Sequence, residues 1–237
     1  LEKQENIEST REIIEALSKI GHAITSDLYL EDILNLIVTV TAEVMHSKIC
    51  SIMLLDAKKN ELVIKATQSM SKEYINKNPL KLGEGIAGKV ALENKSAAVY
   101  DIIKNDEYKS KDIARKESLS SMLCIPLHVK GNVIGVLNLY TSEPHNFSDY
   151  EINILSTVAD AAAIVIENSK LMIETNLIRE ELESRKSLER AKGIIMRELN
   201  ITEDEAFKKI QKFSMNSRKS MREISEAIIM SHDMKNI

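Results

Sequence analysis

The chain has 237 residues, 43% of them hydrophobic and 29% charged, with three prolines and seven glycines, so it can bury a core and is not a long disordered tract. No run approaches the roughly 18 apolar residues of a membrane span and no basic-then-apolar leader opens the chain, although Leu1 in place of methionine leaves the natural N-terminus open. The net charge of −4 is uneven: Ser184 to Arg222 holds eleven Lys/Arg against five acids, a local +6 that leaves −10 elsewhere and suits contact with a polyanion at one end only.

Ile7, Ile14, Leu17 and Ile20 fall at helical spacing, and Leu30 to Met45 repeats the pattern with Ile33, Leu34, Ile37 and Val44, so two helices are expected. The period then shortens to two. Ile49–Leu55 and Glu61–Thr67 read as strands joined by a hairpin at Lys58–Asn60. A loop region through Pro79 leads to Leu82-Gly-Glu-Gly-Ile-Ala-Gly-Lys-Val90, where Gly83, Gly85 and Gly88 allow a tight turn into a short helix. The free N–H groups of that helix could face an anionic ligand, or the glycines could serve the turn alone. Ala97–Tyr100 reads as a short strand and Asp101–Lys116 as part helix, part loop. Ser121–Val129 and Val133–Tyr140 form the clearest hairpin, with Pro126 placing the first strand locally at an edge or bulge. Cys50 and Cys124 lie in strand-like apolar runs and give no zinc or disulfide signature, so inert thiols in a reducing cytoplasm are expected. His22, His46, His128 and His145 show no ligand spacing, and no metal site is expected.

Three capping boxes mark helix starts: Ser148 with Glu151, Thr202 with Glu205, and Ser220 with Glu223. Phe147 and Ile152 are placed to staple the first, Ile201 and Ala206 the second. From Glu151 to Leu199 there is no proline and one glycine, Gly193, which permits a helix of up to about 70 Å, continuous or broken near Gly193. Ile164, Leu171 and Ile178 recur every seven residues, with Ala161, Asn168, Thr175 and Leu182 on a companion seam. A parallel dimeric coiled coil with Asn168 fixing its register is expected; a single amphipathic helix lying on its own domain is the alternative. Leu188, Ala191, Ile195 and Leu199, then Ala206, Phe207, Ile210, Phe213 and Ser214, then Ile224, Ala227 and Ile228 make three stripes over helices at about 184–198, 203–217 and 221–231. Short stripes of this kind bury one another as a small bundle. Ala191, Gly193, Met196 and Phe207 read as packing residues, the small Ala191 and Gly193 allowing another backbone to approach.

Leu82-Gly-Glu-Gly-Ile-Ala-Gly-Lys-Val90, Asp101, Leu123-Cys-Ile-Pro-Leu127, Ile134-Gly-Val-Leu-Asn-Leu139, Phe147-Ser-Asp149 and the Leu155…Ala159…Ala163 helix together resemble a GAF domain, over about residues 15–170. The resemblance implies an α+β sensor domain, an antiparallel sheet with flanking helices, whose ligands in the family include cyclic nucleotides, tetrapyrroles, haem and small metabolites. The Asn-Lys pair of the cyclic-nucleotide signature is replaced by Thr141-Ser142, and the cofactor is left unassigned. A small-molecule pocket is expected between the sheet and the 71–120 segment, with Gly83, Gly85, Tyr100 and Asp101 as candidate ligand residues.

Ser184-Arg-Lys-Ser-Leu-Glu-Arg-Ala-Lys-Gly-Ile-Ile-Met196, Glu205-Ala-Phe207, Met215, Ile224 and Ala227-Ile-Ile229 resemble the ANTAR module of transcription antiterminators, over residues 184–231. The resemblance implies a homodimeric, cytoplasmic bacterial regulator that binds tandem RNA hairpins in a leader or terminator region. Where family members often carry a basic residue, this chain has Gln211. Arg185, Lys192, Lys208, Lys209, Lys212, Arg218 and Lys219 are the candidate exposed RNA-binding cations, against the alternative of a merely solvated basic face. The expected organisation is a sensor domain over 1–165, a coiled-coil linker over 160–185 and a three-helix RNA-binding bundle over 184–232. No catalytic constellation is present, so a non-enzyme without membrane contact is expected. Two alternatives stay open. One is a DNA-binding regulator, which Met221-Arg-Glu-Ile-Ser-Glu-Ala is too acidic to serve as recognition helix. The other is a sensor histidine kinase fragment, since Ser231-His-Asp-Met-Lys-Asn236 resembles a phosphoacceptor box, although no ATP-binding domain follows before Ile237.

Overall fold

The computed structural model describes residues 29–235 together with residues 14, 15, 18, 19 and 21. Most of the helix expected over 7–20, with Leu17, Ile20 and His22, lies outside the described residues. The chain divides into two compact units, Leu1–Ser169 and Lys170–Ile237.

In the first unit, α1 (Leu30–Val44) precedes the hairpin β1 (Ile49–Asp56) and β2 (Glu61–Thr67). Then come α2 (Lys72–Ile75), β3 (Leu80–Lys81), α3 (Gly85–Glu93), β4 (Ala97–Val99) and α4 (Lys111–Lys116). The second hairpin, β5 (Ser121–Val129) and β6 (Asn132–Thr141), leads into α5 (Asp149–Leu199). The six strands form one antiparallel sheet in the order β3-β2-β1-β6-β5-β4. Both faces are buried, and strand alternation assigns each side chain to a layer. Cys50, Ile52, Leu123, Ile125, Leu127, Leu137 and Leu139 meet Ile33, Leu34, Ile37 and Val38 of α1 and Leu155, Ala159 and Ala162 of α5. Ile49, Met53, Met122, Cys124, Val136 and Tyr140 meet the α2–α4 segment.

Lys65 is an extra residue in β2, because Ile52 pairs with Ala66 while Met53 pairs with Ile64. The bulge switches faces: Leu62 and Ile64 serve the second layer and Ala66 the first. Pro126 pairs with Val136 in β6, and β4 covers β5 only over Met122–Cys124, so proline's missing donor lies where β5 has no outer neighbour. β5 is therefore an edge only locally, with its register shift one residue later, between Leu127 and His128.

The Ser148 box forms as expected, with Glu151 accepting from the backbone and hydroxyl of Ser148, each at 2.8 Å. Phe147 and Ile152 both pack on the first layer. From this cap α5 runs 51 residues without a break at Gly193. What reads as a separate first helix of the C-terminal bundle is the end of this helix. It is followed by α6 (Glu203–Ser217), which opens on the full Thr202/Glu205 box, and α7 (Met221–Lys235), capped by Ser220 and Glu223. The second unit buries Ala191, Ile194, Ala206, Ile210 and Ile224, with Leu188, Ile195, Met221, Ile228 and Ile229 around them.

Candidate nucleic-acid interface and sensor cavity

On the α2–α4 side of the sheet a tight turn brings the chain into α3. Gly83 and Gly85 take φ of +82° and +65°, left-handed values that favour glycine. The Gly83 N–H donates to the Gly88 carbonyl at 2.8 Å. Beside the start of α3 lies a cavity of about 10 Å³, walled in part by Lys77, Gly85, Tyr108, Lys109, Ser110 and Tyr140. That is space on the order of one water molecule.

The cavity wall is aromatic and cationic. Tyr74 and Tyr108 stand edge-on to Tyr140, with ring centroids 6.0 and 6.4 Å away, and the Tyr74 hydroxyl pairs with Ser51 Oγ at 2.8 Å. Lys77 holds its ammonium 4.6 Å from the Tyr74 ring centroid, and removal from water lowers its pKa to about 8. Asn138, between Val136 and Tyr140 in the strand alternation, is buried with both side-chain polar atoms unpartnered.

Of the four expected ligand residues, Gly85 lines this cavity and Gly83 shapes the turn before it. Tyr100 and Asp101 are not part of its wall. The Tyr100 side chain is exposed, while Asp101 accepts from the backbone N–H groups of Ile103 and Lys104 at 3.0 and 3.1 Å and pairs with the Lys104 ammonium. The hydrogen bond from the Lys104 side chain, foremost, holds its carboxyl below the usual range. Lys77, Tyr108 and Lys109 lie in a stretch without period, and no sequence signal marked them. Tyr140 could have been found from the alternation of β6.

In the second unit, four polar contacts join the helices around the small apolar core, one of them Arg222 of α7 with Glu183 of α5 at 3.7 Å. Lys192 bonds Glu189 at 2.7 Å on its own helix and Glu203 at 2.6 Å at the start of α6. Arg190 Nη2 lies 2.9 Å from both oxygens of Asp233 on α7, and His232 Nδ1 lies 3.1 Å from Glu198. The expectation that Lys192 is an exposed cation is therefore corrected: it is 8% exposed and held by two carboxylates. Arg185, Lys208, Lys209, Lys212, Arg218 and Lys219 are all exposed, and none forms an ion pair among the described residues. Lys208 and Lys212 share a flank of α6 at i, i+4, and Lys209 stands beside them one turn before Phe213.

The packing roles also need correction. Phe207 is 37% and Phe213 62% exposed, because Ala206 and Ile210 alone fill the inward line of α6. A Cβ on Gly193 would meet nothing within 4 Å, so no other backbone in the described residues uses that glycine. Lys186, Gly193 and Arg197 instead follow one another at i, i+7 and i+11 along α5, with Arg190 between them turned to Asp233 on α7. As for the phosphoacceptor resemblance, Asp233 is engaged by Arg190 and His232 by Glu198.

A GAF domain family model matches residues 28–167. The chain belongs to the GAF domain family. An ANTAR domain model matches residues 177–229, so the GAF domain is followed by an ANTAR domain. This GAF–ANTAR chain is 28% identical over 162 residues to the methyl sulfide methyltransferase-associated sensor of Methanosarcina acetivorans, covering 66% of this chain and 16% of that one. It is 32% identical over 90 residues to the transcriptional regulatory protein PdtaR of Mycobacterium tuberculosis, covering 38% of this chain and 42% of that one. It thus spans less than half the length of either relative. Among solved structures, the GAF domain of a phosphoenolpyruvate-protein phosphotransferase from Coxiella burnetii is 26% identical with a TM-score of 0.62, covering 68% of this chain and 96% of that one. A free methionine-R-sulfoxide reductase from Neisseria meningitidis, bound to its substrate, shares the fold at 19% identity and a TM-score of 0.59, over 68% of this chain and 91% of that one. No described helix is long and apolar enough to cross a membrane.

Proposed function

We propose that this GAF–ANTAR protein is a signal-responsive antiterminator that binds tandem-hairpin RNA through its ANTAR unit, as a cytoplasmic homodimer. A small molecule held by the GAF unit controls it. The proposed organisation is sensor over 1–165, coiled-coil linker over 160–185 and RNA-binding module over 184–232. The observation that carries the reading is the set of exposed cations without ion pairs, Lys208, Lys209 and Lys212 among them, on a unit where Arg190 and Lys192 are by contrast tied into interhelical contacts. Lys77 and Lys109 beside Gly85 favour an anionic metabolite as the signal, and the cavity they line, with room for about one water, must widen to admit it. A non-catalytic role is supported by Cys50 and Cys124, both fully buried, whose thiols burial pushes far up and away from reactivity.

The test is the salt dependence of hairpin-RNA binding. Removing two phosphate contacts with Lys208→Ala and Lys212→Ala should weaken binding at low salt and flatten the log–log salt slope by roughly 1–2, with melting unchanged. Lys192→Ala should instead lower the melting of the ANTAR unit, because it breaks the link from α5 to Glu203. Equal affinity for hairpin RNA and duplex DNA, indifferent to the Lys208/Lys212 change, would overturn the proposal.

A further inference from the structure

Between the end of α5, α6 and α7 lies a groove of about 370 Å³. Its apolar walls include Ile195, Ile210, Phe213 and Ile228, and Glu198, Ser231, His232 and Lys209 bring polar groups to it. Small-ligand sites share this pattern of apolar walls with a few convergent polar groups, and the volume sits at the low end of their range, room for one flat heterocycle. Phe213 contributes a ring that is 62% exposed, whereas Ala206 and Ile210 on the inward line of α6 are covered. Lys209 precedes it by one helical turn, and Lys208 and Lys212 continue the positive flank outward. A phosphate chain following those lysines is led to the ring.

We propose that this groove receives one unstacked nucleobase from the loop of a bound RNA hairpin. The base stacks on Phe213, and Lys209 holds the adjoining phosphate. The inference rests on the RNA-binding reading and adds to it a base-recognition site. Stacking uses the π-face that every base has, so it supplies affinity that salt does not screen as it screens the phosphate contacts. A bare lysine face would bind any phosphate chain, whereas a ring beside it selects for unpaired bases, as RNA loops present them.

The chain contains no tryptophan, so Phe213→Trp places a single indole reporter in the groove of the full-length protein. The probes are two hairpins with one stem, one carrying an all-adenosine loop and one an abasic loop of equal length. The adenosine-loop hairpin should quench the indole fluorescence of this variant, and the abasic loop, with the same phosphates, should not. Phe213→Ala and Phe213→Leu should bind the adenosine loop about 10- to 100-fold more weakly, with the salt slope of the unaltered protein, and should bind the abasic loop as that protein does. Because the ring is exposed, both variants should melt as before.

Unchanged RNA affinity in these variants, with no quenching, overturns the base site and leaves the RNA reading standing. A change of oligomeric state on Phe213→Ala assigns the groove to a second copy and likewise overturns it. No binding of either hairpin by the unaltered protein removes the reading on which the inference rests.

Discussion

Leu171→Glu is expected to convert the protein from dimer to monomer and to weaken its binding to a two-hairpin RNA by roughly 100-fold or more, while a single hairpin is bound as before. No residue from 167 to 183 in α5 is buried, yet the stretch carries Leu171, Met172, Ile173, Leu177, Ile178 and Leu182, all about half exposed or more. A helix of that length without tertiary packing is marginal in water. The every-seven repeat of Ile164, Leu171 and Ile178 matches the seam a second copy would cover, with Asn168 on the companion line setting the register. A glutamate at the seam opposes its own counterpart across the two-fold axis. The affinity loss follows from linkage: a tethered second module finds its hairpin at high effective concentration, and a monomer has none. Sedimentation reads the mass and titration against one- and two-hairpin RNAs reads the avidity. A Leu171→Glu protein that remains a dimer would place the interface elsewhere.

What the sequence made legible was local. Strand periods, hairpin turns and capping boxes depend on neighbours within a few residues, and each of these signals found its element. Lys192 was misplaced because its partner Glu203 lies eleven residues on, beyond a turn whose direction no spacing encodes. Phe213 falls on a helical stripe that reads as core, but a bundle that buries only Ala191, Ile194, Ala206, Ile210 and Ile224 among its apolar residues has no room to bury every member of such a stripe. Gly193 stands in a motif whose small residues suggest a packing contact, whereas the space beside it is open. The cavity residues Lys77, Tyr108 and Lys109 come from irregular chain, where no period exists to read.

Lys77→Met should raise the stability of the GAF unit below pH 8 by on the order of 2 kcal/mol, and this gain over the unaltered protein should shrink between about pH 8 and 10.5. The sign follows from where the proton sits. In the unfolded chain the lysine titrates near 10.5, while in the fold desolvation against the Tyr74 ring lowers it to about 8. Between those values the unfolded state binds a proton at Lys77 that the folded state has released, so the lysine's own contribution to stability climbs with pH; below 8 both states are charged and the full penalty is present. Burial keeps the Cys50, Cys124, Tyr74, Tyr108 and Tyr140 protons in place in the fold while the unfolded chain releases its thiol and phenol protons across this window, so these groups lower stability as pH rises; present in both proteins, they cancel in the difference between Lys77→Met and the unaltered chain. Methionine keeps the length and apolar stem of the side chain without its charge. A desolvated ammonium left without a partner carboxylate is also what an entering anion would relieve. A metabolite carboxylate seated beside Lys77 should therefore raise melting more at pH 7 than at pH 10, and should lose that advantage in Lys77→Met. Chemical denaturation across pH 6–11 gives the stability curve, and a thermal-shift screen of organic acids gives the ligand arm. A difference between the Lys77→Met and unaltered curves that stays constant from pH 8 to 10.5 would show that Lys77 does not release its proton there.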